Sequence, residues 1–289
     1  MKLFDFFRRK KKKLVEEKPK IKLGLALGGG GARGFAHLGA IKAFEENGIE
    51  FSFIAGTSVG SLVGALYASG LKSDELIEIS RKIQKKDIKK NKIAFMPSST
   101  KGIQSLVKNV LGDIDFCDLK IPFCAVAVDI KSGNEVNIKS GNVAKAVAGS
   151  CAVPGVFNYV EFDDYRLMDG GLQNTIPSDV VKNMGADYVI SVDCNPARGY
   201  GTSSTKLLDL VSASIRILMK SNAVKGKFYS DVLIEPDTKR FKSSKLKGSE
   251  EMIEEGYKAA IKKIDEIKKL FEIEDKNKKK INKKNKERV

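Results

Sequence analysis

Four consecutive glycines, Gly28 to Gly31, stand between a short apolar run, Ile21 to Leu27, and a stretch with helical spacing. No other feature narrows the fold as much. An apolar run of that length closed by glycines reads as a buried strand. Phe35 to Asn47 carries Leu38, Ile41 and Phe44 at three-residue spacing and stops before Gly48, the pattern of a helix with a terminal glycine. Glu50 to Ala55 reads as a second strand, and Ser61 to Ala68 as a helix packed through small residues. Strand, glycine loop, helix, strand, turn, helix is the start of a parallel α/β sheet. The predicted class is α/β, with three α/β/α layers around a mostly parallel central sheet.

Further elements follow in the same manner. Residues 72–118 read as mostly helical and polar, broken at Pro97. Pro122 to Asp129 and Glu135 to Ile138 read as strands, and Asn142 to Ser150 as a small-residue helix ended before Pro154. Tyr165 to Met168 leads as a short strand into Asp169-Gly170-Gly171. Asp187 to Val192 and Val232 to Ile234 read as strands flanking a helix over Leu207 to Met219. Ser249 is expected to cap a last helix with Glu250 and Glu251 in its first turn. That helix should dock through Ile253, Tyr257, Ile261, Ile264 and Ile267. The expected organisation is a basic, aromatic tail (1–22), a core (23–187), further elements on the same domain (188–272) and a poorly ordered basic tail (273–289).

The 289 residues carry a formal charge of +16, but unevenly. Residues 1–22 hold 10 basic groups against 3 acidic, residues 275–289 hold 8 against 2, and Arg81 to Lys92 holds 7 against 1. The rest of the body is slightly negative. Charge on two tails and one internal stretch fits solvated surface or an anionic partner. Leu3, Phe4, Phe6 and Phe7 beside the first basic run favour a membrane interface over nucleic acid. No apolar run reaches the roughly 20 residues of a spanning helix. The run Leu3 to Phe7 is broken by Asp5 and followed by bases, so no secretory segment is expected. Cys117, Cys124, Cys151 and Cys194 are widely spaced, as core thiols of a cytoplasmic protein would be.

Two motifs carry chemistry. In Gly28 to Gly34 (GGGGARG) main-chain N–H groups can face open space at the start of a helix, a cradle for a phosphate or a developing oxyanion. Gly29, Gly31 and Gly34 also match a dinucleotide fingerprint. That reading wants an acid at the end of the second strand, where Ala55-Gly56-Thr57-Ser58 stands instead. Gly56-Thr57-Ser58-Val59-Gly60 places a serine between strand and helix, the setting of a nucleophile elbow. Ser58 then needs a base. His37, the sole histidine, precedes it and reads as a packed or capping residue. One histidine also disfavours a Ser–acid–His order and an imidazole metal site, so no metal is expected. A carboxylate remains. Asp169 sits at a turn before two glycines, and an aspartate serves as a base only where water is shielded from it.

LALGGGGARGFAHLGAI, IAGTSVGSLVGALYA, SCAVPGVF and LMDGGLQNTIP together resemble the patatin-like phospholipase family, in order, from about Leu23 to Asp187. The resemblance implies a Ser–Asp dyad without histidine. Gly29 to Gly34 correspond to its oxyanion motif, Gly56 to Gly60 to its elbow, and Asp169, Gly170 and Gly171 to its Asp-Gly-Gly turn. The expected function is a serine acyl hydrolase of lipid esters, with Ser58 as nucleophile and Asp169 as proton acceptor. Oxyanion binding falls to Gly29, Gly30, Gly31, Arg33 and Gly34, with Gly30 and Gly31 as the main donors. Arg33 is expected to fix the loop, attract an anionic head group or form a salt bridge. No cofactor is implied. The expected setting is cytoplasmic, with peripheral contact on an anionic membrane through the tails and Arg81 to Lys92. The rivals are an esterase or thioesterase for soluble acyl substrates and a non-catalytic membrane or nucleic-acid adaptor.

Overall fold

A computed structural model describes residues 21–88, 100–195, 201–243 and 245–271. Nearly all of both basic tails, residues 89–92 of the internal basic stretch and Pro97 lie outside these residues. The centre is β1 (Leu23–Leu27), whose residues are all buried. It pairs in parallel with β2 (Phe53–Thr57) on one side and β7 (Tyr188–Val192) on the other. Beyond β7 lies β8 (Val232–Ile234), also parallel. Beyond β2 lies β3 (Phe123–Asp129), parallel again. Three antiparallel pairings follow, through β4 (Glu135–Ile138), β5 (Val160–Phe162) and β6 (Tyr165–Asp169).

Alternation along the strands divides the helices into two layers. Leu23, Leu25 and Leu27 face α1 (Phe35–Glu46), α2 (Val59–Ala68), α3 (Ser73–Ile88), α4 (Lys101–Leu111), α5 (Val143–Ser150) and α8 (Ser249–Ile261). Ala26, Ala55 and Val126 face α6 (Ser178–Asn183) and α7 (Leu207–Phe228). Side chains of opposite parity on one strand therefore build two cores, the three-layer arrangement. Gly24 belongs to the smaller layer, where a Cβ would sit 2.0 Å from Val181 Cγ1. In the larger layer α1 and α8 cross backbone to backbone. A Cβ on Gly39 would lie 1.8 Å from Ile253 O, and one on Gly256 1.9 Å from Ala36 O.

The register at β3 positions the site. Ala125 and Val126 pair with both β2 and β4, so those strands lie on opposite edges of β3. Ala127 and Val128 pair with both β4 and β6. Hence β6 shares the β2 edge. β2 ends with Thr57 opposite Val126, and β6, running the other way, ends with Asp169 opposite Ala127. The two strands meet head to head on one edge.

Several elements differ from the sequence reading. β2 spans Phe53–Thr57 rather than 50–55, because its register on β1 starts at Gly24↔Phe53 and runs to Leu27↔Gly56. α2 starts at Val59 rather than Ser61, which leaves Ser58 as the whole turn. β5, a strand with no expectation from sequence, closes a hairpin on β6. α7 continues to Phe228 rather than stopping at Met219. Ser249 is the first residue of α8, and Gly248, at φ 87°, is the N-cap. The buried stripe there is Met252, Ile253, Gly256 and Ala260, continued by Ile264 and Ile267, while Ile261 is 39% exposed. The α1 crossing at Gly256 turns the helix so that small residues face inward.

Candidate active site

Ser58 is held at φ 54°, ψ −127°, a conformation that L residues rarely adopt. Strain of this kind costs about 1–3 kcal/mol and persists only where the surroundings impose it. Those surroundings are glycines and a serine. A Cβ at Gly56 would meet Gly60 O at 2.3 Å, and one at Gly60 would meet Leu27 O at 2.0 Å. The Ser58 N–H donates to Ser150 Oγ (3.0 Å), which donates to Val126 O (2.5 Å). The Ser58 carbonyl accepts from Ser61 N and Oγ and from Leu62 N, which starts α2.

Asp169 ends β6 as the sequence suggests, but it is 1% exposed rather than set on an open turn. Its N–H donates to Ala152 O (3.0 Å) and its Oδ1 accepts from Gly171 N (2.8 Å). Gly170 and Gly171 permit that turn. A Cβ on the first would lie 2.2 Å from Val126 O, and one on the second 2.1 Å from Met219 Cε of α7. Burial pushes the Asp169 carboxyl up to about 6, against smaller downward pulls from the Ser58 hydroxyl and the Gly171 N–H. Oδ2 is buried and has no partner within hydrogen-bond distance. The Ser58 hydroxyl is near enough to act on this carboxylate, yet no bond between them is closed. Catalytic hydrogen bonds are often long before substrate arrives.

The glycine loop lies against the serine, with a Cβ at Gly29 falling 3.4 Å from Ser58 Cβ. Its donors are not all available. Gly28 N–H is bonded to Val192 O, Gly29 N–H to Thr175 O and Ala32 N–H to Ser243 O. Among the described residues, the N–H groups of Gly30 and Gly31 have no acceptor. Gly29, counted above with the oxyanion residues, thus has its N–H already engaged. Arg33 takes the first of its expected roles. Its Nε donates to Phe241 O (3.1 Å) and Nη1 to Asn195 Oδ1 (3.4 Å), so the guanidinium fastens the loop. Gly34 makes room for α2, since a Cβ there would lie 2.3 Å from Val59 Cγ2.

His37 is fully buried in α1, with Nε2 2.8 Å from Gly28 O and Cys194 Sγ 3.3 Å from its ring nitrogens. Desolvation lowers it to about 4, so it is neutral at working pH. It supports the loop from beneath. Four further supports have roles that no sequence motif assigns. Ser150 positions Ser58, Asn174 O accepts from Thr57 Oγ1 (2.8 Å), Asn195 Nδ2 donates to Gly29 O (2.5 Å), and Ser243 O anchors Ala32. SCAVPGVF and LQNTIP mark two of these regions, without assigning their roles. Among the described residues no group of three or more His, Cys, Asp or Glu could hold a metal ion, and no helix is long and apolar enough to cross a membrane. Arg81, the first cation of the basic stretch, is paired with Glu250 (2.8 and 3.0 Å).

Residues 25–182, more than half of the chain, match the family model for patatin-like phospholipase. The protein belongs to the patatin-like phospholipase family. An uncharacterised NTE family protein of Mycobacterium tuberculosis is 33% identical over 178 residues, which covers 60% of this chain and 49% of that one. Neuropathy target esterase sws of Drosophila melanogaster is 33% identical over 181 residues, covering 59% of this chain and 13% of that protein. Human patatin-like phospholipase domain-containing protein 6 is 32% identical over 182 residues, with the same 59% and 13%. The chain thus spans about half the length of the mycobacterial relative and far less of the animal ones. Among solved structures, VipD from Legionella pneumophila shares the fold, with a TM-score of 0.51 at 14% identity over 86% of this chain and 67% of that one.

Proposed function

We propose that this patatin-like protein is a serine acyl hydrolase that cleaves carboxylic ester bonds of lipids. The observation that carries the reading is a strained, buried serine at a strand–helix turn beside a buried aspartate with one unpartnered oxygen. Ser58 Oγ attacks the ester carbonyl and its proton passes to Asp169 Oδ2. The oxyanion takes the free N–H groups of Gly30 and Gly31, donors whose individual loss typically costs about 10²–10³ in rate. As the tetrahedral intermediate collapses, the C–O bond breaks and Asp169 returns the proton to the leaving alkoxide. Water then attacks the acyl-enzyme with Asp169 again as base, releasing the acid and restoring Ser58.

The lipid assignment is supported by an apolar groove lined by Gly34 and Leu62, the latter one helical turn along α2 from Ser58. It continues past Leu38, Leu66, Leu76 and Leu106. The basic tails and the Arg81 to Lys92 stretch are proposed to hold the enzyme at an anionic membrane from the cytoplasmic side. Hydrolysis of p-nitrophenyl esters tests the dyad, because Ser58→Ala and Asp169→Asn should each abolish turnover in folded protein. Activity retained by either variant sinks it. Faster turnover of a short soluble ester than of vesicle lipid would shift the substrate class to soluble acyl compounds. Failure of Ser58 to react with a fluorophosphonate would favour an adaptor.

A further inference from the structure

Two elements extend past the carboxyl edge of the sheet, on the side where Ser58 lies. The first is the β3–β6 ladder. β2 stops opposite Val126, while β3 continues and remains paired to β6 as far as Asp129↔Leu167, with Ile130 N–H bonded to Arg166 O. Its tip exposes Ile130 (53%) and Tyr165 (43%), with Tyr159 under the Arg166 guanidinium. The second is α7. It descends from the carboxyl edge, after β7, to the amino edge, before β8. Met219 and Asn222 of α7 lie on the catalytic turn, through Gly171 and Leu172 O. The helix ahead of Met219, from Leu207, is about 18 Å long, so it reaches out past that turn.

This length of α7 is apolar on its outer side. Leu207, Leu210, Val211, Ile217 and Leu218 are exposed, at 74, 44, 43, 54 and 47%. Their spacing of three, four and seven residues gathers them into one stripe. Lys206, Arg216 and Lys220 accompany it against one acid, Asp209. A partner helix would cover one stripe. Apolar tips on two separate elements at the mouth of one site suit a broad, deformable apolar surface edged with negative charge, which is a lipid interface.

We propose that the Leu207–Leu218 part of α7, with the Ile130–Tyr165 tip, inserts into an anionic lipid surface and sets the catalytic turn at the interface. The inference deepens the lipid-hydrolase reading and rests on it for its purpose, although binding can be measured without catalysis. The test uses full-length Ser58→Ala protein with and without Ile217→Ser and Leu218→Ser, co-sedimented with vesicles of equal parts phosphatidylcholine and phosphatidylglycerol. Salt of about 0.5 M screens the tails and isolates apolar insertion. Each lost side chain should weaken partition about ten-fold, so the double change about 100-fold. With Ser58 present, the same double variant should keep its turnover of a short soluble ester, which shows that it is folded. Equal partition of the two proteins overturns the inference. So does a wild-type dimer that becomes monomeric in the variant, because a second copy then covers the stripe. Vesicle binding lost in the variant, in a protein that hydrolyses no ester, would keep the inference and remove the hydrolase reading.

Discussion

Burial of Asp169 ties stability to the proposed chemistry, so one substitution tests both. Desolvation raises its carboxyl from 3.8 to about 6 in the folded protein, and the unfolded chain returns it to its ordinary value. Between those values the unfolded chain releases a proton that the folded protein keeps. Stability therefore falls as pH rises through this window, and above about pH 7 the whole cost is present. The gap corresponds to about 3 kcal/mol. Asparagine does not titrate, and its Oδ1 can still accept from Gly171 N. The unfolding free energy of Asp169→Asn minus that of wild type should grow by about 3 kcal/mol between about pH 4 and about pH 8. Urea melts at a series of pH values measure it. His37 and the other titrating groups are common to both proteins and cancel in the difference. Ester turnover should vanish in the variant, and kcat/KM of the wild type should rise with one ionisation near 6, as the carboxylate becomes a base. A flat stability difference, or an acidic limb near an ordinary aspartate value, refutes the argument from burial.

Four further outcomes follow from the packing. Ser150→Ala removes the acceptor of the Ser58 N–H and should cost about 1–3 kcal/mol in denaturant melts, with kcat falling more than KM changes because the elbow loosens. Gly256→Ala places a methyl 1.9 Å from Ala36 O and should cost about 3 kcal/mol. Gly201→Ala, with nothing within 4 Å, should stay within about 0.5 kcal/mol of wild type. Cys124, Cys151 and Cys194 are buried with thiols pushed up by desolvation, whereas Cys117 is exposed. A maleimide should therefore label Cys117 alone in folded protein and all four thiols in denaturant, as mass spectrometry would read.

The start of the sheet was legible because each of its signals is local. Glycines mark the loop, small residues flank Ser58, and strand and helix periods alternate around them. The position of Asp169 was legible too, but its burial was not. An Asp-Gly-Gly run looks like a surface turn until β3, Ala152 and Met219 close over it. The supports of the site have no local signature, since Ser150, Asn174 and Asn195 bond to partners 92, 117 and 166 residues away. On α8, Ile261 has the spacing of a core residue. The close approach at Gly256 turns it outward while Tyr257 stays half-buried, and a small residue signals close approach only once its neighbour is known.

The antiparallel strand gives the proposed dyad a route that needs no imidazole. In a wholly parallel sheet every strand delivers its carboxyl end beside a neighbour's, about 4.8 Å across. Here β6 enters from the opposite direction along the edge that β2 occupies, so its last residue arrives where β2 ends. In the proposed dyad the carboxylate would then meet the hydroxyl without an intermediary. A solvated aspartate would be too weak a base for that contact. The same closure that brings Asp169 in also removes its water and raises its pKa, at the cost in stability worked out above. The one histidine is left to hold Gly28 from below, where a neutral ring stiffens the loop that carries the free N–H groups of Gly30 and Gly31.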